Sequence, residues 1–190
     1  MTTVGRPTGH SPNVVALVFS PKPSLHTATA ASAVLHGVET KGGTTAIQHI
    51  HNLSDAETAI QACQTASAIV FASPTFNAQP AWPLKAFLDE IASRSFASNE
   101  HPLTGKACAT LMTGASERHY LGGENLRSVL SSVFSMQTLS PNLFLWKEHF
   151  TGDHALTATA SGRCYRQGEA LHDLAAAVLA STALQSWHAL

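Results

Sequence analysis

Short apolar runs alternate with polar turns along the chain. The run VVALVF at 14–19 and the run AIVFA at 68–72 are apolar throughout. A strand that is apolar on both faces belongs in the middle of a parallel sheet covered by helices. Three further segments have the length and composition of strands, at 44–50, 107–112 and 138–146. The pattern therefore predicts five strands.

Between these strands, apolar residues recur with the i, i+3, i+4, i+7 spacing of a helix face. Five such stripes occur: Ala31, Val34, Leu35, Val38; Ala56, Ala59, Ile60, Cys63; Leu84, Phe87, Leu88, Ile91; Leu126, Val129, Leu130, Val133; and Leu171, Leu174, Ala175, Val178, Leu179. Gly42 and Gly43 stop the first helix, and Pro83 suits the first turn of the third. Five strand–helix alternations predict an open, doubly wound α/β sheet with helices on both faces.

The chain length fits one domain with a substantial core. Residues 1–13 carry glycines and prolines and few apolar side chains, which is typical of a flexible N-terminal tail. Residues 14–190 hold all the predicted strands and helices. We therefore expect a tail at 1–13 followed by a single domain at 14–190.

Composition narrows the classes of function. Charged residues make up 12% of the chain and hydrophobic ones 44%, so part of the surface is expected to be buried in a homo-oligomer. A formal net charge of -1 argues against a nucleic-acid binder, which needs a basic face. No apolar run reaches the roughly 18 residues of a membrane span, and the N-terminus lacks the order of a secretory signal. No membrane association is expected.

Cysteines and histidines give no sign of a disulfide framework or a metal centre. Cys63, Cys108 and Cys164 are far apart and form no CxxC pair, which favours the reducing cytoplasm. His49 and His51 lie two apart on a predicted strand and share one face. No third ligand follows them at a recognised spacing, so no metal site is predicted.

Three loops carry the candidate chemistry, because ligands of doubly wound sheets bind beyond the carboxyl ends of the strands. The first loop, at 20–27, reads SPKPSLHT and leads into a helix. Unpaired N–H groups and the positive dipole of a helix N-terminus can hold a phosphate together with serine and threonine hydroxyls. The same residues also suit an ordinary capped turn.

The second loop, SPTFNAQPAW at 73–82, is stiffened by prolines. Asn77 can offer hydrogen bonds to the edge of a planar heterocycle, and Phe76 or Trp82 can stack on it. A loop buried at a subunit contact would be rich in the same aromatic residues. Both interpretations stay open here.

The third loop, at 113–123, begins with small residues after a buried strand. Thr113, Gly114, Ala115 and Ser116 allow the backbone to approach a flat ligand closely. Arg118 can meet the phosphate of a nicotinamide dinucleotide or lie in solvent. Neither a GxGxxG fingerprint nor a complete P-loop occurs, so the two standard nucleotide motifs are absent from the sequence.

Taken in order, the three loops resemble the NADPH-dependent FMN reductase family of flavodoxin-like proteins. That family has a Ser-rich turn after strand one, a P-x-[YF]-N segment followed by L-K-x-x-[LI]-D, and a TG-rich turn after strand four. The chain matches with SPKPSLHT at 20–27, PTFN at 74–77 with LKAFLD at 84–89, and TG at 113–114. The resemblance runs from about 14 to 144, and Ala78 stands where the family often has glycine.

The resemblance implies a flavodoxin-like five-stranded sheet of order 2-1-3-4-5, an FMN cofactor, and NADPH or NADH as hydride donor. The residues implied to hold the FMN phosphate are Ser20, Ser24, His26 and Thr27. Those implied to border the isoalloxazine ring are Pro74, Thr75, Phe76 and Asn77, with Thr113, Gly114, Ala115 and Ser116 on its far edge. No catalytic acid or base is implied, because the flavin supplies the chemistry.

The same resemblance implies a homodimer or homotetramer. Reduced flavin would go to a flavin-dependent monooxygenase, or electrons to a quinone, azo dye or metal ion. The main alternative is a flavodoxin-type electron carrier without NAD(P)H turnover, which is usually strongly acidic. A hydrolase using Ser116 or Ser73 with His119 lacks the GxSxG elbow, and a flavin-free regulator on the same fold is the third alternative.

Overall fold

The sheet is built on the predicted apolar runs. The computed structural model describes residues 11–187, and within them seven strands form: Asn13–Phe19 (β1), Thr44–Ile50 (β2), Ala68–Phe76 (β3), Gln79–Pro80 (β4), Ala107–Gly114 (β5), Gln137–Thr138 (β6) and Leu143–Trp146 (β7). The predicted tail at 1–13 falls mostly on residues 1–10, which lie outside the described residues. Asn13 is already the first residue of β1.

The strand order is β2-β1-β3-β5-β6, and β7 also pairs with β5. β6 pairs with the first two residues of β5, and β7 pairs with its last four. These two short strands replace the single fifth strand predicted at 138–146. Pro141 lies between them and has no N–H to donate to a ladder. The predicted α/β fold class is confirmed, with its fifth strand divided and β4 added as a short antiparallel strand on β3.

Six helices are described, of which the first four connect strands and the last two follow β7: Leu25–Thr40 (α1), Ala56–Thr65 (α2), Trp82–Ser98 (α3), Leu121–Ser132 (α4), Ala158–Leu179 (α5) and Thr182–Ser186 (α6). Pro83 lies in the first turn of α3, where its missing N–H costs no intrahelical bond. Short 3₁₀ turns at Leu53–Asp55, Glu117–His119 and Lys147–His149 complete the described elements.

Alternate side chains of β1 enter two different cores. Val14, Ala16 and Val18 pack with residues of α1 and α5 on one face of the sheet. Val15, Leu17 and Phe19 pack with residues of α2, α3 and α4 on the other face. Each fully buried side chain of this size contributes about 1.5–3 kcal/mol relative to exposure. The helices therefore cover both faces, as predicted.

Helices α1 and α5 touch at two glycines. A Cβ atom at Gly168 would lie 1.9 Å from the carbonyl oxygen of Val34, and one at Gly37 would lie 2.1 Å from that of Tyr165. Neither distance leaves room for a side chain. Glycine at both positions lets the two helix backbones come into direct contact.

The three cysteines are free thiols enclosed in the two cores. Burial raises the pKa of Cys63 to about 12 and that of Cys164 to about 11, and it raises the pKa of Cys108 as well. The thiolate is the reactive form, so these thiols have low reactivity. Of the described helices, none has the length and apolar character needed to cross a membrane.

Candidate functional site

The three predicted loops meet at the carboxyl edge of the sheet and are joined by side-chain hydrogen bonds. The hydroxyls of Ser24 and Thr27 are 2.8 Å apart, and those of Thr27 and Thr113 are 2.7 Å apart. The hydroxyl of Thr75 donates to the carbonyl oxygen of Thr113 at 3.2 Å, and His119 Nδ1 lies 3.4 Å from the same hydroxyl. One chain of polar contacts therefore connects all three loops.

The first loop leaves donors free at the start of α1. Ser24 is the N-cap residue, with extended backbone and no side-chain bond to the helix N–H groups. The first N–H groups of any α-helix have no intrahelical acceptor. Ser20 is buried, and its backbone is already used: its N–H donates to Ile50 and its carbonyl lies 2.7 Å from His51 Nδ1. Ser24 and the first turn of α1 thus provide the accessible donors.

Thr27 has a different position from its neighbours in the loop. Its side chain is completely buried, and its hydroxyl is shared between Ser24 and Thr113. Thr27 therefore joins α1 to β5 behind the loop surface. Its hydroxyl contacts the Ser24 hydroxyl from behind the loop surface.

The second loop is a β-hairpin, which the sequence analysis did not predict. β3 continues through Pro74 and Thr75 to Phe76, turns at Asn77 and Ala78, and returns as β4. Both turn residues have positive φ, 51° and 59°, as a two-residue type I′ turn requires. Glycine is favoured in such turns, so Ala78 adopts a conformation in which a Cβ atom is strained.

This hairpin presents polar and aromatic side chains to solvent and is held at its base. Phe76 is 53% exposed, and Asn77 is exposed beside it. At the base, the hydroxyl of Ser73 accepts a hydrogen bond from the N–H of Ala81 at 2.9 Å. A Cβ at Gly122 would lie 2.6 Å from the carbonyl oxygen of Ala78, so the start of α4 packs directly on the turn.

The third loop follows the end of β5 at Gly114. A Cβ there would lie 2.8 Å from both the Phe144 ring and the Thr75 hydroxyl. Glycine is therefore needed here for packing between β3, β5 and β7. The sequence analysis had given a different reason, the close approach of the backbone to a ligand. Ala115 is exposed and Ser116 half-buried, and both lie on the open side of the loop.

A fourth segment, missed in the sequence analysis, contacts the first loop. Phe150 and His154 follow β7, and both rings pack on His26, with ring centroids 4.3 Å and 4.6 Å away. Partial burial lowers the pKa of His26, and the neighbouring His154 lowers it further. The predicted topology could have indicated this segment, because the loop that follows the last strand begins at the same carboxyl edge of the sheet as the three predicted loops.

The described residues hold no group of three or more His, Cys, Asp or Glu side chains arranged to bind a metal ion. His49 and His51 do share one face, with ring centroids 6.3 Å apart. His51 is engaged with the carbonyl oxygen of Ser20.

A model of the family described as NADPH-dependent FMN reductase matches residues 12–151. The chain belongs to this family. The matched range includes all three candidate loops and ends just before His154. Membership of this family supports an FMN-binding oxidoreductase. No curated protein matches the chain.

Three solved structures resemble the chain over most of its length. A flavodoxin, WrbA-like protein from Agrobacterium tumefaciens has 20% identity and a TM-score of 0.69, over 87% of this chain and 98% of that one. An apo NADH:FMN oxidoreductase (EMOB) has 21% identity and a TM-score of 0.69, over 86% and 89%. The NAD(P)H:(acceptor) oxidoreductase FerB from Paracoccus denitrificans has 15% identity and a TM-score of 0.67, over 86% and 97%. At these identities the likeness concerns the fold.

The residues of the chain suit an FMN cofactor. The N–H groups of the first turn of α1, beside the Ser24 hydroxyl, fit a phosphate, which helix N-termini bind readily. The exposed ring of Phe76 and the amide of Asn77 fit the apolar face and polar edge of a flavin.

A separate apolar groove lies between α3 and α4. It encloses about 580 Å³ and borders the hairpin through Gln79 and Pro80. Val129 and Val133 line it and are 40% and 64% exposed. The sequence analysis placed both valines on the apolar face of the fourth helix, and the structure leaves this part of the face exposed because α3 does not fill the space opposite it.

Proposed function

We propose that the protein is an NAD(P)H-dependent FMN reductase that transfers a hydride from NADPH or NADH to FMN. The observation that carries this proposal is the chain of polar contacts from Ser24 through Thr27 and Thr113 to Thr75 in a member of the FMN reductase family. Those contacts fix the three loops relative to one another, so a ligand touching all three would meet a preorganised site.

At the phosphate end, Ser24 and the backbone N–H groups that open α1 would bind the anion. Ser20 stabilises the loop through the hydrogen bonds of its backbone with the Ile50 carbonyl and the His51 ring. His26 stands half-buried at the outer side, where a ring nitrogen can donate to phosphate. Thr27 would act by orienting Ser24.

At the ring end, the hairpin and the third loop would hold the flavin between them. Pro74 to Asn77 would border one edge, and the loop from Thr113 to Ser116 the other. When bound, the flavin supplies the two-electron chemistry, and the protein supplies orientation. No acid or base residue is required, so the polar residues of the site serve binding. Arg118 is exposed near the third loop and is available for a dinucleotide phosphate.

The surface around the ring end would receive the second substrate and a second copy of the chain. We propose a homodimer or homotetramer formed through the groove between α3 and α4, since that groove is apolar and borders the hairpin. The reduced flavin would serve a flavin-dependent monooxygenase, or pass electrons to a quinone, azo dye or metal ion. The three free thiols support a site of action in the reducing cytoplasm.

The test is an absorbance experiment without oxygen. FMN is added to the purified protein, followed by NADPH or NADH in separate samples, and the oxidised flavin band is followed at about 450 nm. We expect rapid bleaching with at least one nucleotide, far faster than with FMN and nucleotide alone. Bound FMN that neither nucleotide bleaches would favour the flavodoxin-type carrier. Absence of FMN binding would refute the proposal.

A further inference from the structure

The segment after β7 holds a histidine in an unusual backbone conformation. Phe150 and Leu156 form an antiparallel bridge, and the N–H of Thr151 donates to the carbonyl of Ala155 at 2.8 Å. Within this closed turn, His154 has a φ of 66°, in the left-handed region that residues with a Cβ rarely adopt. The turn thus fixes His154 at one place on the surface.

That place is directly against the first loop. His154 Nδ1 lies 2.9 Å from His26 Nε2, although the two residues are 128 positions apart in the chain. Phe150 also packs against His26. A hydrogen bond between two neutral imidazoles uses one N–H of the pair. Protonation of either ring adds a donor and a positive charge two residues beyond the N-cap Ser24.

We propose that His154 belongs to the phosphate site, and that the His26–His154 pair takes up one proton from solvent when FMN binds. This inference rests on the proposed function, because it assumes FMN at the start of α1. A dianionic phosphate there attracts the charged form of the pair, which repulsion and partial burial disfavour in the free protein. The bound phosphate would then be held by helix N–H groups, Ser24 and an imidazolium.

The other charged groups near the pair are few. Asp153 adjoins His154, and a hydrogen bond from the Thr151 hydroxyl holds its pKa below the ordinary value, so it is a carboxylate at neutral pH. Lys22 is the other cation of the first loop. On the α5 side, Arg163 lies 3.1 Å from His149 Nε2. Burial lowers the pKa of His149, and the positive charge of Arg163 lowers it further.

The direction of the pH dependence follows from this linkage. The pair would have a higher pKa with FMN bound than without it, so FMN affinity is greatest at low pH and falls as the pair loses its proton. A rise of one pKa unit on binding corresponds to a roughly ten-fold change in affinity. The FMN phosphate has its own second pKa of about 6. It must stay a dianion at every pH compared, so that its own protonation does not change the affinity. Measurements therefore run from about pH 7 to about pH 9.

The experiment measures FMN and riboflavin binding by calorimetry, in two buffers of different ionisation enthalpy, for the wild type, His154→Gln and His36→Gln. His36 is a matched control because it lies on α1 but is largely exposed and pairs with Glu39. For the wild type and His36→Gln, we expect FMN affinity to fall about two- to four-fold across the range, with proton uptake on binding. His154→Gln should bind FMN with little proton uptake and a flatter profile.

Riboflavin separates the possible failures, because it has the flavin ring and no phosphate. It should bind all three proteins with the same pH profile and without proton uptake. Equal pH profiles and equal proton uptake for FMN in the wild type and His154→Gln would overturn the inference while leaving the proposed function standing. Equal affinity for FMN and riboflavin would also overturn it, since no phosphate contact would exist. If neither flavin binds, the proposed function itself fails.

Discussion

The two faces of the sheet are covered to different degrees. On one face, α1 and α5 touch so closely that Gly37 and Gly168 have no room for a Cβ atom. On the other face, α3 and α4 stand apart and leave a groove of about 580 Å³ with Val129 and Val133 in it. One helix layer is complete within the chain, whereas the other leaves apolar surface for another molecule.

This difference matches the two ends of the proposed ligand. The phosphate end lies at the start of α1, in the closed layer, where the anchor does not depend on any partner. The ring end lies at the hairpin, and Gln79 and Pro80 of that hairpin line the open groove. In the proposed complex, the chain would hold the cofactor at its closed layer, with the reacting part beside the groove between α3 and α4.

The largest effect is expected from breaking the closed layer. Replacing Gly168 with alanine would place a Cβ 1.9 Å from the Val34 carbonyl oxygen and 3.0 Å from Gly37 Cα. Both neighbours are backbone, so the helices must separate. We expect a loss of roughly 3 kcal/mol in the free energy of unfolding, measured by urea denaturation.

Gly162 provides the matched control, because it lies in the same helix and its Cβ would meet only the end of the Arg166 side chain at 3.8 Å. There, Gly162→Ala should stabilise the protein by about 0.5–1 kcal/mol through helix propensity. If both variants change stability in the same direction, the contact between α1 and α5 is not as tight as described.

A smaller loss is expected from Thr27→Val, which keeps the shape but removes the buried hydroxyl between Ser24 and Thr113. Thr113 is 5% exposed, and its hydroxyl would lose its partner. An unpaired buried polar group costs about 1–3 kcal/mol, again measured by urea denaturation. Thr27→Ser should recover most of the loss. Equal stabilities for Thr27→Val and the wild type would show that this contact contributes little.

The smallest effect on the chain itself is expected in the open layer. Val133→Glu places a charge in the groove, and since Val133 is 64% exposed the unfolding free energy of the monomer should change by less than about 0.5 kcal/mol. Association should nevertheless be lost, as sedimentation velocity would detect. Leu179→Glu, at an exposed apolar position on α5, should leave the oligomer intact. If Val133→Glu leaves the oligomer unchanged, the interface lies elsewhere on the chain.

Much of the fold was predictable because burial on both faces leaves a strong apolar signal. The buried strands β1 and β3 contain the predicted apolar runs at 14–19 and 68–72, and the helix face from Ala31 to Val38 is buried. The hairpin at Asn77 and Ala78 was not predicted, because its turn lacks the glycine that marks a type I′ turn. The divided fifth strand was missed because the segment was taken as continuous through Pro141.

The candidate site was predictable only where residues are close in sequence. The three loops follow directly from the positions of the strands, and the structure brings them together. The contact between His26 and His154 joins residues 128 positions apart. A single histidine in a polar turn carries no periodicity, so pattern alone gives no reason to pair it with another.

The enclosed thiols make the protein convenient for site-directed labelling. Cys63, Cys108 and Cys164 lie inside the cores with raised pKa values, so thiol reagents have little thiolate to attack in the folded state. Gly152 is exposed, and a Cβ there would meet nothing within 4 Å. A cysteine introduced at Gly152 would therefore carry a fluorophore beside His154 without removal of any native cysteine. If the fluorophore absorbs at wavelengths away from the flavin bands, such a probe would report on the first loop without interference from the flavin.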